Sequence, residues 1–124
     1  MSGDSTTGDD ATTDGPTEQH PVTIGSEAEL DDLLASHATV LVELFTEGCS
    51  VCASEEPVLS GVARTTDALV VVCNPRDDPA LIERFEVRSV PTFLLFRDGD
   101  LVARRADGFQ SVDDLVELID GATA

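Results

Sequence analysis

The chain has 124 residues, with 25 Asp and Glu against seven Lys and Arg, a formal charge of −18 and 41% hydrophobic residues. So acidic a chain excludes phosphate-backbone binding as a default, because that affinity comes from cationic counterion release. Its length fits one domain, and its hydrophobic share is that of an ordinary globular chain, so the acidity does not imply disorder throughout.

Residues 1–20 read as a disordered acidic tail. Up to Gln19 only Met1 and Ala11 are apolar, and Asp4, Asp9, Asp10, Asp14 and Glu18 are unopposed by any cation. Such a segment cannot bury enough apolar surface to offset its ordering entropy. Residues 21–124 read as one folded domain. Val22-Thr23-Ile24 is a short strand candidate. Ser26 followed three residues later by Glu29 is a capping-box signature, and Leu30, Leu33 and Leu34 give the helix it opens one apolar face, ending near His37. Thr39 to Phe45 is a nearly continuous apolar run of strand length, the mark of a central strand covered on both faces.

After Gly48 the pattern predicts a helix through Ala63, then a second buried strand from Ala68 to Cys73, then a short helix from Pro79 to Phe85 with Pro at its start. Thr92 to Phe96 is a further strand. Asp98-Gly99 is a strong hairpin signal, with Leu101-Val102-Ala103 as the antiparallel return. Gly108 marks a bend, and Ser111 caps a terminal helix striped by Val112, Leu115, Val116, Leu118 and Ile119. The expected order is β-α-β-α-β-α-β-β-α, an α/β fold.

The chemistry is concentrated in Cys49-Ser50-Val51-Cys52, which follows the central strand and opens a helix. A thiol at a helix N-terminus meets the positive end of the dipole and unpaired N–H groups, which favour its thiolate. Two cysteines on one helical turn can also close a disulfide, so the pair can alternate between dithiol and disulfide. Cys49 is placed to attack a substrate disulfide and Cys52 to resolve the mixed disulfide. Zinc would need two further ligands at metal spacing, and only Cys73, His20 and His37 remain. A permanent structural disulfide is the other reading, but so short a loop restrains little of the unfolded chain.

These residues resemble the thioredoxin family over roughly residues 22–122: the buried strand Val40 to Phe45, the Cys-x-x-Cys pair, Val90-Pro91-Thr92, the Phe96-Arg97-Asp98-Gly99 hairpin and Gly108. The resemblance implies a thioredoxin fold, a central mixed sheet flanked by helices, with Cys49 as attacking thiol and Cys52 as resolving thiol. It implies a cis peptide bond before Pro91 facing the pair, with Val90 backbone groups pairing to an extended substrate peptide; the alternative is a strand-entry proline. Glu43 stands where the family usually has a buried Asp, and a raised pKa there would suit it to accept the Cys52 proton. The other reading of Glu43 is an outward-facing strand carboxylate.

Gly48, Ser50 and Val51 depart from the Trp before the first Cys and the Gly-Pro between the two that family members commonly carry. With Val90 and Pro91 they form the expected substrate-binding surface. Val72 stands where a lysine near the buried carboxylate would be, and Cys73 matches no motif position. The resemblance implies protein-disulfide substrates, electrons from a thioredoxin reductase-type donor, a monomer, and no cofactor beyond the redox-active disulfide. A non-catalytic thioredoxin-like adaptor and a thiol peroxidase, for which Thr46 three residues before Cys49 is the one signal, are the competing functions.

Composition also points to an environment. All seven cations are Arg, Asp outnumbers Glu by 15 to 10, and Trp and Tyr are absent. At ~1 M salt the Debye length falls to about 3 Å, which screens the self-repulsion of such a chain. A salt-in halophile's cytoplasm is therefore expected. No stretch approaches the ~20 apolar residues of a membrane span, and no secretory signal is visible, so neither membrane nor nucleic acid is an expected partner. Folding and activity should both rise between dilute buffer and molar KCl, as followed by circular dichroism and disulfide reduction; full folding and activity in dilute buffer would remove the halophile inference.

Overall fold

In the computed structural model, which describes residues 20–123, five strands form one mixed sheet flanked by helices. The expected tail falls almost wholly outside the described residues. The elements are β1 (Val22–Ile24), α1 (Glu27–Ser36), β2 (Thr39–Leu44), α2 (Ser50–Ser54), α3 (Glu56–Thr65), β3 (Leu69–Cys73), α4 (Pro79–Phe85), β4 (Thr92–Arg97), β5 (Asp100–Arg105) and α5 (Val112–Thr123). A single 3-10 turn, Pro75–Asp77, joins β3 to α4.

The sheet order is β1-β3-β2-β4-β5. Strands β1 and β2 run parallel to β3, β4 runs antiparallel to β2, and β5 closes an antiparallel hairpin with β4. Strand β2 is therefore paired on both edges and buried on both faces, as its apolar run demands. Alternate residues face alternate cores. Val40, Val42 and Leu44 pack with Leu30, Leu34, Leu81 and Phe85 beneath α1 and α4. Leu41 packs with Leu59, Val62, Phe93, Leu115 and Ile119 beneath α3 and α5. By the same alternation Glu43 lies on the α3 and α5 side.

The caps follow the sequence with one adjustment. Ser26 Oγ accepts the Glu29 N–H at 3.2 Å, but the Glu29 carboxylate reaches back to the Gly25 N–H at 2.6 Å, one residue beyond the reciprocal capping-box partner. Ser111 and Asp114 do form the reciprocal pair, each side chain accepting the other's N–H at 3.1 and 3.0 Å. In the hairpin Asp98 and Gly99 both adopt positive φ, 52° and 87°, as a two-residue turn of type I′ geometry requires.

The helix expected to run unbroken from Gly48 to Ala63 is instead two. The break falls at Glu55, between α2 and α3, two residues before Pro57. Proline has no N–H to offer the Ala53 carbonyl four residues back, and its ring would crowd that carbonyl in a continuous helix. The β4–β5 ladder also slips between Leu95 and Phe96, leaving Val102 as an extra residue on β5 that the alternation alone does not announce.

Asp78 ties two helix starts together. Its Oδ1 accepts the Ala80 N–H at 3.3 Å at the head of α4, and its Oδ2 accepts the Glu27 N–H at 2.8 Å at the head of α1. Substituting Asp78→Ala leaves donors at both termini unpaired and should lower unfolding free energy by about 2 kcal/mol in denaturant titrations, with Asp78→Asn intermediate because one acceptor oxygen remains.

Candidate functional site

Strand β2 ends at Leu44, and the chain turns through Phe45 to Gly48 before α2 begins. Gly48 makes this turn at φ +85°, and open space surrounds the position a Cβ would take, so backbone conformation rather than crowding calls for glycine. Cys49 caps α2: its Sγ accepts the Cys52 N–H at 3.2 Å, and its carbonyl accepts the Ala53 N–H at 3.1 Å. The two sulfurs are joined as a disulfide with the Cα atoms 5.2 Å apart, inside the usual bridging range. Cys49 is half-buried while Cys52 is buried at 5% exposure, so only the first sulfur is offered to an incoming partner.

Because β4 runs antiparallel to β2 with Thr92 opposite Leu44, the residues just before Thr92 lie beyond the carboxyl end of β2, at the end of the sheet that carries the disulfide. The Val90–Pro91 bond is cis, Pro91 is buried and Val90 is half-buried. The Thr92 hydroxyl donates to the Ser89 carbonyl at 2.7 Å and ties this turn. Of the remaining surface residues, Gly48 and Ser50 are exposed and Val51 is 39% exposed.

On its other side the disulfide borders a cleft of about 540 Å³, whose lining includes Glu43, Gly48, Cys49, Cys52, Glu56 and Val72. Glu43 is 2% exposed, and its Oε2 meets no hydrogen-bond partner among the described residues. Burial pushes its carboxyl up to about 8, with the negative charges of Glu55 and Glu56 adding to the effect. The outward-facing reading of Glu43 is thus excluded. Its register partners are Val72 on β3 and Phe93 on β4, so neither neighbouring strand supplies a cation at this level.

A thioredoxin family model matches residues 21–121. The chain belongs to the thioredoxin family. It is 37% identical over 99 residues to a thioredoxin of Chlamydia muridarum, covering 79% of this chain and 95% of that one. With a thioredoxin of Chlamydia caviae it shares 38% identity over 81 residues, 64% of this chain and 78% of the relative. Among solved structures it is similar to a mutant thioredoxin from Halobacterium salinarum, with TM-score 0.83 and 32% identity over 90% of this chain and 97% of that chain. Family membership together with a Cys-x-x-Cys pair closed as a disulfide makes the chain a thiol–disulfide oxidoreductase acting on protein disulfides.

Within this thioredoxin frame, Cys73 stands apart from the exchange site. It pairs in register with Leu44, packs in the α1 and α4 core, and burial pushes its thiol up to about 11. One buried ionisable residue near the cysteines escaped the sequence reading. Glu55 is wholly buried at the break between α2 and α3. Its spacing was a usable signal, since Cys52, Glu55 and Leu59 fall on one helical face and the outer two are apolar core positions.

Glu43 destabilises the fold above the ordinary carboxylate range. Below its unfolded pKa both states are protonated; as pH rises toward about 8 the unfolded chain ionises first, binds fewer protons than the native state, and stability falls, levelling off once the native carboxyl also ionises. Glu43→Gln should therefore be more stable than the parent, by a margin that widens from about pH 4.5 to 8 and then stays constant, as read from urea unfolding at a series of pH values.

Proposed function

We propose that the chain works as a reductant of protein disulfides, with Cys49 as nucleophile, Cys52 as resolving thiol and Glu43 as proton acceptor. The observation that carries this reading is the asymmetry of the pair: Cys49 half-open at the cap of α2, Cys52 buried beside the cleft that holds Glu43.

In the reduced protein the Cys49 thiolate attacks one sulfur of the substrate disulfide. The substrate S–S bond breaks, a mixed disulfide forms at Cys49, and the first substrate sulfur leaves as a thiolate that takes a proton from water. Cys52 then passes its proton to the Glu43 carboxylate and attacks the Cys49 sulfur. The mixed disulfide breaks, the second substrate thiolate leaves, and the Cys49–Cys52 bond closes. Two electrons have moved from the dithiol to the substrate. A base with a pKa near that of a thiol suits the second step, because proton transfer between matched groups is reversible and close to balanced. A reductase-type donor returns the two electrons, the proton held on Glu43 goes back to Cys52 and Cys49 is left as the thiolate, so no group beyond the two sulfurs carries the electrons.

The substrate-binding surface in this reading is Gly48, Ser50 and Val51 on one side of the exposed sulfur and Val90 with Pro91 on the other. Val90 offers backbone groups to an extended peptide at the open end of the sheet. The patch carries no charged side chain, so recognition is short-range and persists in salt. The acidic surface and all-Arg cation set support a soluble monomer working in the cytoplasm of a salt-in organism.

Reduction of insulin disulfides in molar salt, with a dithiol as electron source, tests the assignment. Cys49→Ser should abolish turnover, and Cys52→Ser should stop after one mixed disulfide that mass spectrometry can trap. Full activity in Cys49→Ser would sink the reading.

A further inference from the structure

Glu55 is a second buried carboxyl at this site, and the mechanism above does not use it. It follows Cys52 by one helical turn, and its own N–H donates to the Cys52 carbonyl at 3.0 Å. The side chain is wholly buried. Its Oε2 accepts the backbone N–H of Gln110, from the segment that joins β5 to α5, while its Oε1 meets no partner among the described residues. Gln110 is itself buried and held in place: its Oε1 accepts from Arg105 Nη1 at 3.2 Å, and its Nε2 donates to the Gly108 carbonyl at 3.5 Å.

Two carboxyls buried near one another do not both ionise easily, and the better solvated of the two takes the charge. The hydrogen bonds decide which. Glu55 has a fixed backbone N–H aimed at its carboxylate, whereas the Glu43 Oε2 has no donor. Resting on the redox reading above, we propose that Glu55 is a positioning residue of the exchange site: clasped by the Gln110 N–H, it carries the negative charge of the buried pair and so keeps the proton on Glu43 beside Cys52. The charged groups around the pair fit this division. Glu43 feels Glu55 from the helix break and Glu56 from α3, with uncharged Val72 and Phe93 on the neighbouring strands and Glu47 at the edge of the cleft. Glu55 feels Asp114 of α5, and Arg105 of β5 reaches it through Gln110. Burial raises the Glu55 carboxyl while the Gln110 N–H pulls it back down, a compensation Glu43 lacks.

The consequence is a setting of the pH at which Cys52 can hand over its proton. With Glu55 charged, Glu43 ionises late, and resolution accelerates only as pH approaches its raised pKa. Glu55→Gln removes the charge but keeps an oxygen that can accept the Gln110 N–H, so it separates electrostatics from the structural clasp. The experiment mixes reduced protein with an aromatic disulfide whose thiolate absorbs visible light. The first release reports Cys49 attack and the second reports resolution by Cys52. In Glu55→Gln the rising limb of the second rate should move to lower pH by about one unit. A limb that superimposes on the parent's, whatever happens to the amplitude, overturns the proposal, since a merely structural role changes amplitude and not position. A measurement on the unaltered protein needs no variant: carboxyl-carbon NMR titration should show Glu55 ionising at lower pH than Glu43, and the reverse order overturns the proposal equally. Absence of any second release in the parent would refute the redox reading instead, and the titration order would still judge Glu55.

Discussion

Strand β2 imposes the constraint from which the site follows. It is hydrogen-bonded to β3 and β4 and covered by helices on both faces, so each side chain it carries must be apolar or accept the consequences of losing water. Five of its positions satisfy that demand or sit at its edge; Glu43 does not. The sheet cannot relax to expose it, because moving Glu43 outward by one residue of register would bring Val42 and Leu44 out of their core. The carboxyl is thus held dry by the same packing that stabilises the domain. It is held on the side where the chain, on leaving β2, returns as α2 with the two cysteines. Burial, proton affinity and proximity to Cys52 are one structural fact seen three ways.

The break between α2 and α3 does related work. A continuous helix would have carried the cysteine turn straight into α3. Pro57 ends that possibility, and Glu55 fills the corner with a side chain that reaches the segment before α5. The corner thereby connects three parts of the chain distant in sequence: the cysteine turn, the start of α3 and Gln110. Gly108, at φ +92°, lets the chain bend into that contact. The disulfide's environment is therefore set partly by a loop more than 50 residues away, a dependence visible only once the fold brings them together.

What could be read from the sequence and what could not divides along physical lines. The central strand was legible because a run such as Val40 to Leu44 has few other places to go, and the hairpin was legible because Asp98-Gly99 supplies the two left-handed residues its turn needs. The cysteine pair was legible from its place between a strand and a helix. The helix break was missed although Pro57 announced it, since apolar periodicity on both sides of the break is nearly in phase. The bulge at Val102 has no local signal: it reflects how β5 must twist against β4. Glu55 was missed because a glutamate in a helix beside another glutamate, Glu56, reads as a solvated face, and the spacing from Cys52 to Leu59 is the one local sign that it points inward.

That last distinction bears on the charge of the whole chain. Most of the carboxylates among the described residues are on the surface, where added salt shortens the reach of each to a few ångströms, about 3 Å at 1 M. Glu56, exposed on the first turn of α3, belongs to that screened population. Glu43 and Glu55 do not, being all but closed off from solvent, so the burial that raises their carboxyls persists in salt. A protein so acidic can therefore alter its outer field greatly with salt while losing at Glu43 only the smaller contribution of exposed Glu56, because burial is the leading cause of the raised carboxyl. The raised carboxyl of Glu43 thus depends first on packing and only then on the surface charge around it.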